Sequence, residues 1–319
     1  MHFDIFNGDA DGICSLLQLR LQNPVDAERI TGVKRDIALL DRVNAGFGDH
    51  VTVLDISMAN NAAALQRLLS AGAVVDYVDH HAAGDIPQHD NLSVTISEAP
   101  EVCTALLING RLRGARVEWA ITGAFGDNLD EPARQVGLKA GLSDGDISGL
   151  RELGVYINYN GYGPSVYDLH FHPSELYAAM YESVHPASFI DSDMFRQLCE
   201  GYSGDVAAAK TLAPAMVQRG FAIYELPNAP WARRVSGVFS NDLVRAYPQR
   251  AHAVLTEQED GAFLVSVRAP FQRRTGAEAV CSQFETGGGR AAAAGINRLP
   301  AADVDRLAAA LAAEYGDQS

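Results

Sequence analysis

The chain has little positive charge and no long apolar run, and each shortage excludes a class of protein. Its 319 residues include 25 Lys and Arg against 40 Asp and Glu, for a formal net charge of −15. Proteins that coat long nucleic acids need a basic track to release counterions, so this class is disfavoured. No apolar stretch is long enough to span a bilayer, and no signal peptide pattern precedes the first predicted strand. A cytoplasmic protein without a membrane partner is expected.

Cysteine is also scarce. The four cysteines are far apart in sequence and include no Cys-x-x-Cys pair; they are Cys14, Cys103, Cys199 and Cys281. Neither a structural zinc site nor a disulfide framework is therefore indicated. The remaining composition, 47% hydrophobic and 20% charged, is typical of a globular protein, and the length suits two domains.

The most informative stretch is the segment 74–84. Val74, Val75, Tyr77 and Val78 form a short apolar run typical of a buried parallel strand, and the run ends at Asp79-His80-His81. Taken alone, these three polar residues are also compatible with a simple strand cap. In open α/β sheets, however, functional sites are built at the carboxyl edge, where the strands end.

Acidic residues follow three other predicted strands. Asp9 and Asp11 follow residues 2–6, Asp55 follows residues 51–54, and Asp127 follows a predicted strand at 117–121. Carboxylates that converge on one sheet edge repel each other, and a bound divalent cation relieves that repulsion. Carboxylates with one or two imidazoles suit Mn²⁺ or Mg²⁺, so the sequence predicts a site for one or two such ions.

The alternation of predicted strands and helices indicates an α/β fold with a parallel, doubly wound sheet. We expect a first domain at 1–185, a helical connector at 186–218 and a second, smaller α/β domain at 219–319. In the first domain, residues 156–164 are rich in turn formers and aromatic residues and predict a packed surface loop, with a substrate-contacting loop as the alternative. In the second, residues 234–239 predict a strand and 242–247 a helix, whereas glycines 287–289 are expected between regular elements.

The order of these motifs resembles the DHH phosphoesterase superfamily, which includes RecJ exonucleases, nano-RNase and cyclic-dinucleotide phosphodiesterases, and manganese pyrophosphatases. The motifs are Asp-x-Asp-Gly at 9–12, the strand-end Asp55, Asp-His-His at 79–81 and Gly-x-x-Gly-Asp at 123–127. Near the C-terminus, Gly-Gly-Gly-Arg at 287–290 resembles the glycine motif of the companion DHHA1 domain. The resemblance spans nearly the whole chain and implies a DHH domain followed by a DHHA1-like domain.

The resemblance also implies a role for each motif residue. Asp9 would hold a first metal ion, a second would be held by Asp11, His80 and Asp127, and Asp55 would bridge the two. Asp55, His80 and His81 would be the catalytic residues, with His81 facing the substrate phosphate and Asp79 orienting an imidazole. Substrate would also contact the DHHA1-like domain, through Arg268, Gly287, Gly288, Gly289 and Arg290.

Two motif positions depart from the family pattern. RecJ-type enzymes have Asp where this chain has Asn7, and nano-RNase types have His one residue upstream, where this chain has Phe6. Asn7 keeps the shape of Asp without its charge, so the first metal site is expected to be weak, filled only with substrate, or absent. Arg290 stands where the family motif carries His and is expected to clamp a phosphate.

The resemblance therefore implies a manganese-dependent phosphoesterase that hydrolyses oligonucleotides a few units long, dinucleotides or 3'-phosphoadenosine 5'-phosphate in an interdomain cleft. Three alternatives stay open: a RecJ-like 5'–3' exonuclease on single-stranded DNA, an exopolyphosphatase or pyrophosphatase, and a nucleotide-binding protein with weakened catalysis. The sequence also leaves the oligomeric state open, a homodimer included.

Overall fold

The computed structural model describes residues 1–316 and divides into two compact units, the first comprising Met1–Gly201 and the second beginning at Tyr202. Within residues 1–316, no helix combines the length and apolar character needed to cross a bilayer.

The first unit contains a five-stranded sheet in which every neighbouring pair of strands is parallel. The strands are β1 (His2–Phe6), β2 (Glu28–Ile30), β3 (His50–Leu54), β4 (Val74–Asp79) and β5 (Leu92–Ile96), in the order β2-β1-β3-β4-β5. Apolar side chains such as Ile5, Val53 and Tyr77 are fully buried, as expected for strands covered on both faces. The predicted α/β class with a parallel sheet is confirmed.

Eight helices complete this unit. They are α1 (Ala10–Gln22), α2 (Ala62–Ser70), α3 (Thr104–Arg111), α4 (Val117–Gly126), α5 (Asp130–Lys139), α6 (Asp144–Asn160), α7 (Pro173–Ser183) and α8 (Pro186–Ile190). A ninth helix, α9 (Asp193–Lys210), continues from the first unit into the second. The helix predicted directly after Asp11-Gly12 is confirmed as α1.

The strand predicted at 117–121 is wrong, because these residues form the first half of α4. Its residues from Trp119 to Gly126 are all buried, so no polar face reveals the helical period in the sequence. Two glycines allow this helix to pack closely: a Cβ atom at Gly126 would collide with Ala10, and one at Gly123 would crowd Ala105. Asp127 therefore follows the end of a helix rather than a strand.

The surface loop predicted at 156–164 is also wrong in its first half, because α6 extends to Asn160. Asn160 is fully buried, and its Oδ1 accepts hydrogen bonds from the backbone N–H groups of His170 and Phe171. Asn160 is a typical turn former in sequence, but here its side chain forms hydrogen bonds with the backbone of a neighbouring segment.

The second unit contains a six-stranded mixed sheet. Its strands are β6 (Met216–Val217), β7 (Phe221–Leu226), β8 (Ala251–Glu257), β9 (Phe263–Arg268), β10 (Gly287–Arg290) and β11 (Ala293–Leu299), in the order β10-β11-β9-β8-β7-β6. Its helices are α10 (Pro230–Ala246), α11 (Ala277–Cys281) and α12 (Val304–Tyr315). Only β7 and β8 pair in parallel, and the other pairs are antiparallel.

Two predictions for this unit need correction. The strand predicted at 234–239 and the helix predicted at 242–247 are parts of the single helix α10, which begins at Pro230, a residue suited to a first helical turn. Glycines 287–289 lie within the edge strand β10 instead of between regular elements.

Candidate metal centre

The carboxyl edge of the first sheet gathers the polar residues that the sequence placed at strand ends. Asp9 follows β1 and caps the N-terminus of α1, Asp55 follows β3, and the Asp-His-His segment ends β4. Asp127 reaches the same place from the C-terminus of α4. The acids are therefore brought together by three parallel strands and one buried helix.

Asp11 is fixed by the start of α3. Its Oδ2 accepts a hydrogen bond of 2.9 Å from the backbone N–H of Thr104, and its Oδ1 accepts one of 2.7 Å from that of Ala105. The side chain is fully buried, and the N-terminus of a helix favours negative charge. Asp11 is therefore held in one orientation before any ligand arrives.

Asp55 has a backbone conformation that is costly for a residue with a Cβ atom. Its φ angle is +59°, in the left-handed region, and its N–H donates to the carbonyl of Val78 on the neighbouring strand. Such strain persists where the surroundings over-determine it, and it is concentrated at functional sites. Burial, followed by the charges of Asp11 and Asp9, raises the pKa of Asp55 well above its usual range.

His80 presents a ring nitrogen to the acids. Its Nδ1 lies 3.1 Å from the carbonyl oxygen of Val102. This carbonyl can only accept, so Nδ1 carries the hydrogen and the lone pair of Nε2 stays available. Nε2 lies 3.4 Å from Asp55 Oδ1, 3.7 Å from Asp127 Oδ2 and 3.9 Å from Asp11 Oδ2.

These donors fit a divalent cation. Potential ligand atoms of Asp11, His80 and Asp127 lie within 4.8 Å of one another, and so do those of Asp55, His80 and His81. Burial, with the charge of Asp11 next, raises the pKa of Asp127 to about 6, and a divalent cation beside this carboxylate would favour its ionised form. Oxygen ligands with imidazole suit Mn²⁺ or Mg²⁺, and no cysteine is among them.

His81 and Asp79 form a pair beside this cluster. His81 Nδ1 lies 2.8 Å from Asp79 Oδ1, and the histidine side chain is 44% exposed whereas Asp79 is fully buried. The hydrogen bond with Asp79 raises the pKa of His81, against the opposing effect of burial. The carboxylate thus fixes the ring of the more accessible histidine.

Asp9 has a different environment, which the sequence did not predict. Its Oδ1 accepts from the N–H of Gly12 at 3.1 Å, and its Oδ2 lies 2.5 Å from the ammonium nitrogen of Lys34. Burial opposes ionisation of Asp9, but Lys34 lowers its pKa below the ordinary value. Neither metal-type group of ligand atoms within residues 1–316 includes Asp9.

The sequence gives no signal for Lys34, because the residues around it have no regular strand or helix pattern. The structure has the short edge strand β2 at Glu28–Ile30, and Lys34 lies four residues beyond its carboxyl end. Residues that follow β2 lie at the same edge of the sheet as the acids, but this position alone does not single out Lys34.

The predicted substrate residues of the second unit lie on its sheet. Arg290, Ala293, Arg268 and His252 are directly opposed across β10, β11, β9 and β8, so their side chains share one face. Arg268 Nε donates to Asn241 Oδ1 at 2.8 Å, and its Nη1 donates to Ser266 Oγ at 2.9 Å.

The glycines of β10 have packing reasons of their own. A Cβ atom at Gly287 would collide with the carbonyl of Cys281, and Gly289 has a φ angle of +142° next to Ala294. The three glycines pair with Ile296, Gly295 and Ala294 of β11, so part of their N–H groups is committed to the ladder. A substrate contact through the remaining N–H groups of Gly287, Gly288 and Gly289 stays a prediction.

Comparison with solved structures gives the class of fold. The chain is similar to an exonuclease RecJ bound to manganese, at 16% identity over 98% of this chain and 89% of that one, with a TM-score of 0.60. It is also similar to the pGpG-specific phosphodiesterase PggH from Vibrio cholerae (15%, 97% of each chain, TM-score 0.56). A third similar structure is RecJ from Thermus thermophilus in complex with Mn²⁺ (18%, 98% of this chain and 51% of that chain, TM-score 0.57).

The chain therefore has the RecJ-like DHH/DHHA1 fold, as its motifs predicted. No family model matches the sequence, and neither does any curated protein.

Proposed function

We propose that this protein is a metal-dependent phosphoesterase that hydrolyses short nucleotide substrates. The observation that carries this proposal is the convergence of Asp11, Asp55, His80 and Asp127, with the Nε2 lone pair of His80 turned toward the three carboxylates. These four side chains would hold the ion. The RecJ-like fold, found in structures described as an exonuclease and a phosphodiesterase, supports the same reaction class.

A divalent ion at this position supplies Lewis-acid stabilisation of charge on a phosphoryl group and lowers the pKa of a water molecule. The chain supplies the positioning. Asp11 is held by two backbone N–H groups of α3, and Asp55 is held by its strained backbone. His81 has its Nδ1 occupied by Asp79, so its Nε2 is the atom available to a substrate phosphate.

Manganese is the ion that we propose, with magnesium as the alternative, because the similar RecJ structures contain Mn²⁺. Short substrates fit an acidic chain better than long polyanions do, since a net charge of −15 offers no general basic track. Arg268 and Arg290, on one face of the second sheet, would contact the non-reacting part of such a substrate.

The test is a manganese-dependent hydrolysis screen over short RNA, short single-stranded DNA, cyclic and linear dinucleotides, 3'-phosphoadenosine 5'-phosphate and polyphosphate. We expect the highest catalytic efficiency on a linear dinucleotide or a short oligoribonucleotide, with activity lost on chelation and restored by Mn²⁺. Preference for long single-stranded DNA or for polyphosphate would replace the proposed substrate class with the exonuclease or the polyphosphatase.

A nucleotide-binding protein without turnover is the second candidate. The ion pair between Lys34 and Asp9 favours it, because this pair engages a carboxylate that the family resemblance assigns to a metal ion. A screen that shows no hydrolysis of any phosphoester, together with measurable dinucleotide binding, would establish this candidate over the enzyme.

Three further expectations stay predictions: the cytoplasmic location, the catalytic and substrate-binding roles of the two domains, and the binding of single-stranded nucleic acid. A homodimer, which the sequence left open, gains no support from residues 1–316.

A further inference from the structure

The ammonium group of Lys34 lies within a set of oxygen atoms. Its Nζ is 2.5 Å from Asp9 Oδ2, 3.3 Å from Asn158 Oδ1 and 3.7 Å from Asp127 Oδ1. Two carboxylates and an amide oxygen are also the ligand types that hard divalent cations prefer in proteins. The ammonium group of Lys34 therefore occupies a position surrounded by oxygen atoms of the kind that bind metal ions.

The main chain of Lys34 is anchored on both sides. Its N–H donates to the carbonyl of Gly161 at 2.9 Å, and its carbonyl accepts from Asn7 Nδ2 at 3.3 Å. The side chain is only 25% exposed and lies 5.9 Å from the centroid of the Tyr162 ring. These contacts hold the lysine from outside the acidic cluster, so its position does not depend on Asp9 alone.

Asp127 connects the two cation positions. Its Oδ1 lies 3.7 Å from Lys34 Nζ, and its Oδ2 lies 3.7 Å from His80 Nε2. One carboxylate thus faces the lysine with one oxygen and the candidate metal ligands with the other. A second divalent ion held by Asp9, as the family resemblance implies, would have to displace or share a carboxylate that already faces the ammonium group.

We propose that Lys34 is a built-in cation that replaces a second divalent ion, so that this protein binds a single metal ion, held by Asp11, Asp55, His80 and Asp127. The inference rests on the proposed function, because it takes that one metal site as given.

The charges of the cluster agree with this arrangement. One ammonium and one divalent ion neutralise all but one of the four carboxylates Asp9, Asp11, Asp55 and Asp127. A second divalent ion added beside an undisplaced ammonium would reverse the sign of the cluster at short range, which is unfavourable at a partly buried site. Unlike a metal ion, the lysine charge does not depend on the metal concentration around the protein.

Asn7 has a specific part in this arrangement. An amide can donate to the carbonyl of Lys34, whereas a carboxylate at the same position would present an acceptor to an acceptor. Asn7 Oδ1 is buried without a hydrogen-bond partner, which is a cost that the contact to Lys34 helps to offset. The departure at position 7 and the lysine at position 34 thus belong to one arrangement.

The experiment counts tightly bound Mn²⁺ per chain by equilibrium dialysis, in wild type, in Lys34→Met and in Asn7→Asp/Lys34→Met. The matched control is Lys139→Met, which removes an exposed lysine of the same unit. We expect about one ion in the wild type and in the control, and about two in the double variant. In Lys34→Met the second ion should bind more weakly than the first.

A spectroscopic measurement separates a second site in the cluster from one elsewhere. Two Mn²⁺ ions about 3.5–4 Å apart are magnetically coupled, so the electron paramagnetic resonance spectrum of the double variant should show coupling that the wild type lacks. Lys34→Arg keeps a cation and should stay at one ion without coupling. Circular dichroism of each metal-free variant checks that it is folded.

Each result has a separate meaning. Two tight, coupled ions in the wild type would overturn the role of Lys34 and leave the proposed function standing. One ion in a folded double variant would also overturn it, because removal of the lysine would then have freed no site. No bound ion in any variant would overturn the proposed function, and this inference with it.

Discussion

Two regions of the molecule are built in opposite ways. The first is the acidic edge of the first sheet, formed by Asp9, Asp11, Asp55 and Asp127. The second is the arginine row of the second sheet, formed by Arg268 and Arg290. Asp11 and Asp55 are buried, and each is fixed through the backbone, by helix N–H groups or by a strained φ angle. Arg268 lies on the inner strand β9, where its guanidinium donates hydrogen bonds to Asn241 and Ser266, whereas Arg290 is exposed on the edge strand β10. The first arrangement fixes the candidate metal ligands through the backbone, whereas the second holds Arg268 through hydrogen bonds of its guanidinium and leaves Arg290 exposed to solvent.

This contrast predicts how the two regions respond to substitution. A change at the acidic edge removes a ligand that no neighbour can replace, because its surroundings are rigid and already bonded. A change in the arginine row removes one cationic side chain of the second unit and leaves the candidate metal ligands in place.

The largest effect is expected for Asp55→Ala. It removes a carboxylate adjacent to His80, and the Ala that replaces it has no oxygen ligand to offer, so metal affinity and hydrolysis should fall together by orders of magnitude while the fold persists. Metal binding by calorimetry and steady-state kinetics are the measurements. Asp41→Ala, at an exposed acid of the same unit, is the control. Full activity of Asp55→Ala would contradict the assignment of the whole cluster.

A smaller and selective effect is expected for Arg268→Ala. Loss of a charge-assisted contact costs about 1.5–3 kcal/mol, which is roughly ten- to a hundred-fold in kcat/KM. Hydrolysis of a dinucleotide should weaken by this factor, but that of bis-p-nitrophenyl phosphate should not, because the small ester offers no second group to hold. Metal affinity should stay unchanged.

Two outcomes would contradict the predicted role of Arg268. Equal losses on both substrates would place Arg268 at the reacting phosphate, and no loss on either would make it an ordinary surface arginine. Arg298→Ala is the control, since this exposed side chain on β11 pairs with Asp260.

His252 allows a test of how the stability of the second unit depends on pH. It is directly opposed to Arg268 on β8 and fully buried, with its ring near those of Tyr224 and Tyr247. Burial, then the charge of Arg250, lowers the pKa of His252 to about 4. The unfolded chain takes up this proton near pH 6.5, before the native state does, so native stability falls as the pH drops through this range.

The free energy of unfolding is therefore not reduced by His252 above pH 6.5. Between pH 7 and pH 4.5, protonation of His252 in the unfolded chain reduces it by about 2 kcal/mol. His252→Leu should remove this part of the acid sensitivity of the second unit. Urea unfolding at both pH values, with Trp231 of α10 as the reporter in a Trp119→Phe background, measures the difference. An identical pH dependence with and without His252 would mean that His252 takes up its proton in the native state as readily as in the unfolded chain.

The sequence predicted the acidic edge well because its signals are local. Each of β1, β3 and β4 is a short, largely apolar run that ends in an acid or is followed by one within three residues, and parallel pairing brings such ends together. Asp127 was assigned to the right cluster but to the wrong element, since a helix buried on all sides shows no period that separates it from a strand.

Lys34 could not be found in this way. Its place depends on contacts with Gly161 and Asn158, which are more than 120 residues away in the chain, and no local pattern encodes a contact of that range. The glycine run failed for the opposite reason. Its composition suits both a loop and a close-packed edge strand, and only the contacts with Cys281 and Ala294 distinguish the two.

The smallest effect is expected for Arg290→Ala. This variant measures whether the predicted substrate contact of the arginine row extends to the edge strand β10. Arg290 lies on the edge strand β10, two strands from Arg268 on the same face, so it is roughly 10 Å away across the sheet. Because the side chain is exposed, water and salt screen its charge, and its removal should cost less than about fivefold in dinucleotide hydrolysis at physiological salt. The loss should grow at low ionic strength, and Arg290→Lys should restore most of it if charge alone matters. A loss larger than that of Arg268→Ala, unaffected by salt and not restored by lysine, would instead show a fixed two-pronged contact with a phosphate, and the centre of the arginine row would then be β10 and not β9.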